Sequence, residues 1–202
     1  MKTLLAIAAI CLLPACTLAQ NDAKTDAALE AIVDATFAKA SPEWQAQMKP
    51  DATIATCNAY RDKVPAAEAA IIEARERARV VLPSDGNVLG NWKDGFMVAN
   101  NGRGGQFSDP PGTVAGGNCY ACHQMDPLEL SHGTLGPSLK GYGRERKFDV
   151  AEAKNAFVKI YDSQAVAACS SMPRFGTNKV LSERQIMDLV AYLFDPESPV
   201  NK

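Results

Sequence analysis

Histidine is scarce in this chain: there are two, His123 and His132, in 202 residues. There is one Cys-x-x-Cys pair, no second one, and no His-x-x-x-His. A closed zinc site therefore lacks its remaining ligands. No block of Lys and Arg and no basic tail occurs, and 21 basic against 23 acidic residues leave a net charge of −2. A role on nucleic acid or on a membrane surface has little support from that balance. No segment alternates as a half-buried strand would, and no internal repeat is evident. The expected fold class is all-α, and the βαβ context of a thioredoxin-like redox pair is missing.

What is present begins with an export signal. Lys2 supplies a positive n-region, and Leu4 to Leu13 is a nearly unbroken apolar run, too short to span a bilayer as a stable anchor. Thr17-Leu18-Ala19 offers small residues for cleavage before Gln20. Leu13-Pro14-Ala15-Cys16 also resembles a lipobox, which would make Cys16 a lipidated N-terminus. Proline before the alanine disfavours that route, so ordinary cleavage and a periplasmic protein are expected. The expected organisation is a signal peptide over 1–19, a helical N-terminal extension over 20–86 and a haem domain over 87–202.

Cys119-Tyr120-Ala121-Cys122-His123 is the attachment signature of a c-type haem. Two cysteines one turn apart can each form a thioether to a vinyl group, and the histidine that follows is held under the iron as proximal ligand. One covalently bound haem c is the expected cofactor. Of six cysteines, Cys11 and Cys16 fall in the signal and Cys119 and Cys122 go to haem. Cys57 and Cys169 remain. In an oxidising compartment they suggest one disulfide, the alternative being two buried thiols. A bridge closing so long a loop is worth roughly 2–4 kcal/mol.

Helical spacing recurs along the rest. Leu29, Ile32, Val33, Thr36 and Phe37 share one face, and Ser41-Pro42 opens a short helix. After Pro65, Ala67, Ile71, Ala74 and Ala78 are expected inward, with Glu68, Glu73, Arg75, Glu76, Arg77 and Arg79 on a solvated charged face. Pro83-Ser84-Asp85-Gly86 reads as a turn, 92–100 as a helix containing Gly95, and 102–117 as a long surface loop. Asp149 can cap a helix carrying Val150, Phe157 and Ile160. Ser182 and Gln185 form a capping box before Ile186, Leu189, Val190 and Leu193.

An iron that only carries electrons needs a sixth ligand. Met125 is too close to His123 to reach the opposite face, and His132 lies on the proximal loop. Met48, Met97 and Met187 read as packing residues. Met172 stands far downstream in Ser171-Met172-Pro173-Arg174-Phe175-Gly176, where proline holds the backbone out of helix. Met172 is the expected ligand.

Cys-x-x-Cys-His, then Gly136-Pro137, then Met172-Pro173 and a last helix bearing Tyr192, resembles a class I cytochrome c over about 87 to 195. That resemblance implies a class I cytochrome c fold with a helical N-terminal extension. It implies that the Pro137 carbonyl accepts from the ligand histidine, and that Gly95 lets Tyr192 pack close. Gly117-Asn118 before the motif, Gly133-Thr134-Leu135-Gly136-Pro137-Ser138-Leu139, Ala168-Cys169-Ser170-Ser171-Met172-Pro173 and the end Asp195-Pro196-Glu197-Ser198-Pro199 resemble the SoxX family of monohaem cytochromes. Family membership implies a heterodimer with a SoxA-type cytochrome subunit. That complex couples thiosulfate to a cysteine of the SoxYZ carrier protein. This chain would be its non-catalytic electron-transfer subunit, handing electrons to a small cytochrome c. A free-standing electron carrier needs the same ligands. The extension and the 102–117 loop, with Arg103, Arg144, Arg146, Lys147 and Arg174, provide the extra surface expected of a subunit.

Overall fold

The computed structural model describes residues 27–61, 63–106, 108–110 and 112–202. The expected signal peptide, its cleavage point before Gln20 and Cys16 lie outside the described residues, as does Phe107. Among the described residues every regular element is helical, so the fold is all-α. The helices are α1 (27–36), α2 (Pro42–Gln47), α3 (Ala52–Tyr60), α4 (Ala66–Arg77), α5 (Trp92–Asn100), α6 (Tyr142–Glu145), α7 (Val150–Tyr161) and α8 (Glu183–Phe194). Short 3-10 turns occupy Cys119–Ala121, Ser163–Ala165 and Pro199–Asn201. No described helix is long and apolar enough to cross a membrane.

The chain divides into two compact units after Lys49. In the first, Ser41 caps α2 with Pro42 at its first position. Leu29 and Ile32, on the face of α1 with helical spacing, are exposed there. The second unit, Pro50–Lys202, holds α3 and α4 together with everything downstream.

The centre of the second unit is the crossing of α5 and α8. A Cβ on Gly95 would lie 2.0 Å from the Asp188 carbonyl oxygen and 2.8 Å from Tyr192 Cβ. Only glycine permits that approach. It lets the Phe96 ring stand edge-on to Tyr192 at 5.8 Å. Ile186, Leu189, Val190 and Leu193 are all buried, as their spacing requires. Each such side chain contributes about 1.5–3 kcal/mol. Ser182 and Gln185 close a reciprocal capping box at the start of α8. On α7, Ala153, Ala156, Phe157 and Ile160 complete the core, while Val150 in the first turn is exposed.

The 102–117 segment is zipped at its base. Gly116 N donates to the Arg103 carbonyl at 2.9 Å and Asn118 N to that of Asn101 at 3.1 Å. Gly104, at φ +80, packs against Ala115. These backbone bonds hold the ends together and deliver the chain to Cys119.

The orientation of α4 differs from the periodicity. Ile71 is exposed, whereas Ile72 and Glu76 are buried and Glu73 and Arg75 half-buried. Part of the face expected in solvent is packed, while Arg77 and Arg79 stay exposed on it. Its charges are matched by residues far away in sequence. Glu76, fully buried, accepts from the Thr53 hydroxyl, from Arg79 Nη1 at 3.1 Å and from Arg174 Nη1 at 3.2 Å. Arg174 also donates to Asp51 Oδ2 at 2.8 Å. A buried carboxylate is tolerable only with such partners.

Candidate functional site

Asn118, at φ +46, turns the backbone into the 3-10 turn that carries the first cysteine. The amides of Cys122 and His123 both donate to the Cys119 carbonyl, at 3.1 and 2.9 Å. Cys119 and Cys122 are thus brought to one tight turn, and both are unpaired thiols, half-buried. Burial pushes the Cys119 thiol up to about 12, so it stays protonated at neutral pH.

The loop 133–139 is fastened to this turn from below. Gly133 N donates to the Tyr120 carbonyl at 2.8 Å, Gly136 N to that of Cys122 at 2.9 Å and Leu139 N to that of Gln124 at 2.7 Å. The result is a wall for the imidazole. His123 Nδ1–H donates to the Pro137 carbonyl at 2.7 Å, which leaves Nε2 as the ring nitrogen free to face a ligand. Gly136 lies flat on the ring: a Cβ there would be 2.2 Å from Cε1 and 2.7 Å from Nε2. Such an outer bond fixes the tautomer and orientation of a ligating histidine.

Tyr120, between the two cysteines, points into the core. Its hydroxyl and that of Tyr192 are 2.7 Å apart, and Asp126 N donates to Tyr120 Oη at 3.3 Å. Burial raises both phenols above their ordinary range. Two neutral phenols therefore join the motif turn to α8 at any physiological pH.

Met172 sits on the loop between α7 and α8, half-buried and packed against the same core cluster as Cys119. Its amide donates to Ser170 Oγ at 3.3 Å and its carbonyl accepts from Ser163 Oγ at 2.5 Å. Gly176 N donates to the Tyr161 carbonyl at 2.9 Å, and Gly176 lies against the Tyr161 ring. Upstream, Cys169 is joined to Cys57 in a disulfide with Cα atoms 5.5 Å apart.

These residues fit a haem c. The two thiols are free on one turn, and the imidazole has one nitrogen satisfied and the other open. A cleft of about 520 Å³ is walled by Val81, Val114, Tyr161, Val180 and Leu181 together with Lys179, Ser182 and Glu183; the two thiols, His123 and Met172 are not among its lining. Leu181 reaches the corner of Cys119: a Cβ on Gly117 would be 3.7 Å from Leu181 Cδ1 and 3.1 Å from Cys119 Sγ. Among the described residues no group of three or more His, Cys, Asp and Glu side chains is placed to hold a metal ion, as a closed zinc site would require.

No protein-family model matches the chain. It is 40% identical over 129 residues to a protein of Aquifex aeolicus (strain VF5) named an uncharacterized lipoprotein. The alignment covers 62% of this chain and 60% of that relative, so the chain spans about three fifths of the relative's length.

Other residues weighed as ligands lie elsewhere. His132 Nδ1 donates to the Gly133 carbonyl at 3.1 Å, and Met125 is buried in the core. Met187 packs against that core, whereas Met97 is exposed. Of the cations expected at a partner surface, Arg144 holds the carbonyls of Asn201 and Lys202, and Arg146 lies 3.6 Å over the Tyr142 ring. Arg174 is not a surface cation; it is only 7% exposed and is committed to Asp51 and Glu76. Sequence reasoning placed neither this pair nor the Tyr120–Tyr192 pair. A charge-dense helix and a lone arginine after Met-Pro carry no local signal that they meet.

Proposed function

We propose that this chain is the monohaem c-type cytochrome subunit of a SoxXA complex, with a class I cytochrome c domain and a site of action outside the cytoplasm. The observation that carries the reading is the turn Cys119–His123 with its imidazole held by the Pro137 carbonyl at 2.7 Å. A bound haem c supplies a one-electron couple there. Cys119 and Cys122 would tether it, and His123 Nε2 and the Met172 thioether would hold its iron. Neutral sulfur from Met172 favours the ferrous state and raises the potential. The Gly95–Tyr192 approach and the SoxX-like segments around Gly136 and Cys169 support the family reading. Export is supported by the N-terminal signal and by the lipoprotein name of the Aquifex relative, which also keeps lipidation at Cys16 as the alternative to a free periplasmic form.

In this role the chain is the non-catalytic subunit of an L-cysteine S-thiosulfotransferase. With His123 and Met172 holding the iron, no position on it would be left for substrate, and Cys57 and Cys169 are bonded to each other. Among the described residues, once Cys119 and Cys122 carry the haem, no thiol is left to hold a sulfur intermediate. Electrons arrive from a SoxA-type cytochrome, whose complex joins thiosulfate to a cysteine of SoxYZ, and leave to a small cytochrome c. The test is reduction of a small cytochrome c by thiosulfate and SoxYZ. The chain alone should give none, and the chain with a SoxA-type partner should give sustained turnover. Turnover by the chain alone overturns the subunit role. Failure to bind any such partner leaves a free electron carrier.

A further inference from the structure

A disulfide and four side-chain hydrogen bonds join α3 and α4 to one stretch, 162–174. That stretch ends two residues past Met172. Cys57 of α3 is bonded to Cys169. Arg77 Nη2 donates to the Ala165 carbonyl at 3.0 Å. Ala168 N donates to Glu73 Oε1 at 3.2 Å. Arg174 reaches both Asp51, the cap of α3, and the buried Glu76 of α4. Within the stretch, Gln164 Oε1 accepts from Cys169 N at 3.2 Å, and Ser163 Oγ donates to the Met172 carbonyl. The ligand residue is therefore suspended between Ser163 and Arg174, and both ends are fastened to the α3–α4 pair.

We infer that α3 and α4 are an internal brace for the Met172 loop, with Arg174 and Glu76 as positioning residues that keep the thioether on the iron. The inference rests on the haem reading given above and adds to it a role for the helices preceding the haem domain. A loop that carries an axial ligand is the part of such a site most easily opened. Opening would expose the iron to small ligands and turn a carrier into a binding site. The disulfide limits how far the loop travels, but Cys169 is three residues from Met172 and leaves the intervening chain free to swing. Arg174, two residues beyond Met172, closes that freedom from the other side. Its guanidinium is buried and shared by two carboxylates on two elements, so its arrangement is directional. Both bonds come from the one nitrogen Nη1, so a lysine keeps the charge but loses the rigid guanidinium that aims that nitrogen at the two acceptors.

The experiment uses the full-length haem-loaded protein. Its readouts are the weak far-red sulfur-to-iron absorption of the ferric form and the rate at which added imidazole binds the ferric iron. Arg174→Gln and Glu76→Gln should bind imidazole about tenfold faster or more, because a charge-assisted bond that held the closed loop is gone. Arg174→Lys should lie between these and wild type, and the milder Arg77→Ala should fold fully and still accelerate binding. Val200→Ala, in the core at the C-terminal turn and remote from these ties, is the control for global destabilisation. It should lower the unfolding midpoint without changing the imidazole rate. A wild type with the far-red band and Arg174→Gln with an unchanged imidazole rate overturns the brace alone. So does equal acceleration by Val200→Ala. A wild type lacking the band overturns the haem ligation itself, and the brace with it.

Discussion

Gly136→Ala is the sharpest single perturbation of the His123 wall. The residue does not lie at positive φ, so alanine has no backbone objection, and only space decides the result. The new methyl would sit 2.2 Å from Cε1, 2.5 Å from Nδ1 and 2.7 Å from Nε2 of His123. An ordinary contact between carbon atoms is about 3.5–4.0 Å, so the ring or the loop must move by about 1 Å or more. The loop is fastened by Gly136 N to Cys122 and by Leu139 N to Gln124, so the ring gives way first. It then loses its 2.7 Å bond to Pro137. Overpacking of this kind costs about 1–3 kcal/mol, and the lost hydrogen bond about 1 kcal/mol more. A guanidinium titration of the haem-loaded protein should show a loss of roughly 2–4 kcal/mol on those figures. The ferric spectrum should change with it, since the ligand ring is no longer held in one orientation. Gly102→Ala is the control, because its methyl meets nothing closer than 3.4 Å. Wild-type stability and an unchanged spectrum in Gly136→Ala would refute the argument that this wall sets the histidine.

Removing the disulfide with Cys57→Ser and Cys169→Ser together should cost about 2–4 kcal/mol, as expected for closing a long loop; here the two cysteines are 112 residues apart. Peptide mapping without reductant should recover them as one linked pair, and two freely alkylated thiols would contradict it. In acid the brace should loosen. For Glu76, burial opposes ionisation but is outweighed by the Thr53 and Asp162 hydrogen bonds and by the charges of Arg79 and Arg174, so its carboxyl lies below its ordinary 4.5. Asp51 is likewise held below 3.8: burial is outweighed by the Ile54 amide and by Arg174 and Arg79. A lowered carboxyl stabilises above its ordinary value, and that contribution is lost as pH falls through the lower, folded one. Asp162 runs the other way: burial and the neighbouring Glu76 raise it, so its contribution is lost as pH rises through its folded value. The far-red sulfur-to-iron band should therefore weaken as pH drops below about 4, and Glu76→Gln, already weakened, should lose most of that acid limb. A wild-type band of constant strength from neutrality into acid would count against the charge network as a brace.

Local rules made some of this structure readable in advance. The capping box at Ser182 and the apolar stripe of α8 are short-range patterns. Each has one geometric solution, and the helix forms accordingly. The close approach at Gly95, by contrast, was implied only by the resemblance to class I cytochromes c. Cys57 and Cys169 emerged by counting, since the other cysteines had destinations. Orientation was harder. The charged face of α4 reads as solvated until Arg174 is known to sit against it, 98 residues away in sequence. Nothing in the spacing of Glu73, Arg75 and Glu76 distinguishes a charge matched by solvent from one matched by a distant guanidinium. The same holds for Tyr120, whose partner Tyr192 is 72 residues off. The apolar spacing of α1 likewise marks a helix, but it does not say what Leu29 and Ile32 meet.

The central claim is a haem c fixed by two thioethers on the turn beneath His123. Mass spectrometry of the peptide spanning Cys119 to His123, from protein matured in an exporting host with haem-attachment machinery, tests it most directly. The expected result is one haem mass on that peptide, surviving denaturation and acid extraction, with no free thiol at Cys119 or Cys122. Loss of that mass is expected when both cysteines are changed to Ala. An unmodified peptide with two alkylatable thiols, or a haem that is extracted freely from the denatured chain, would contradict the account.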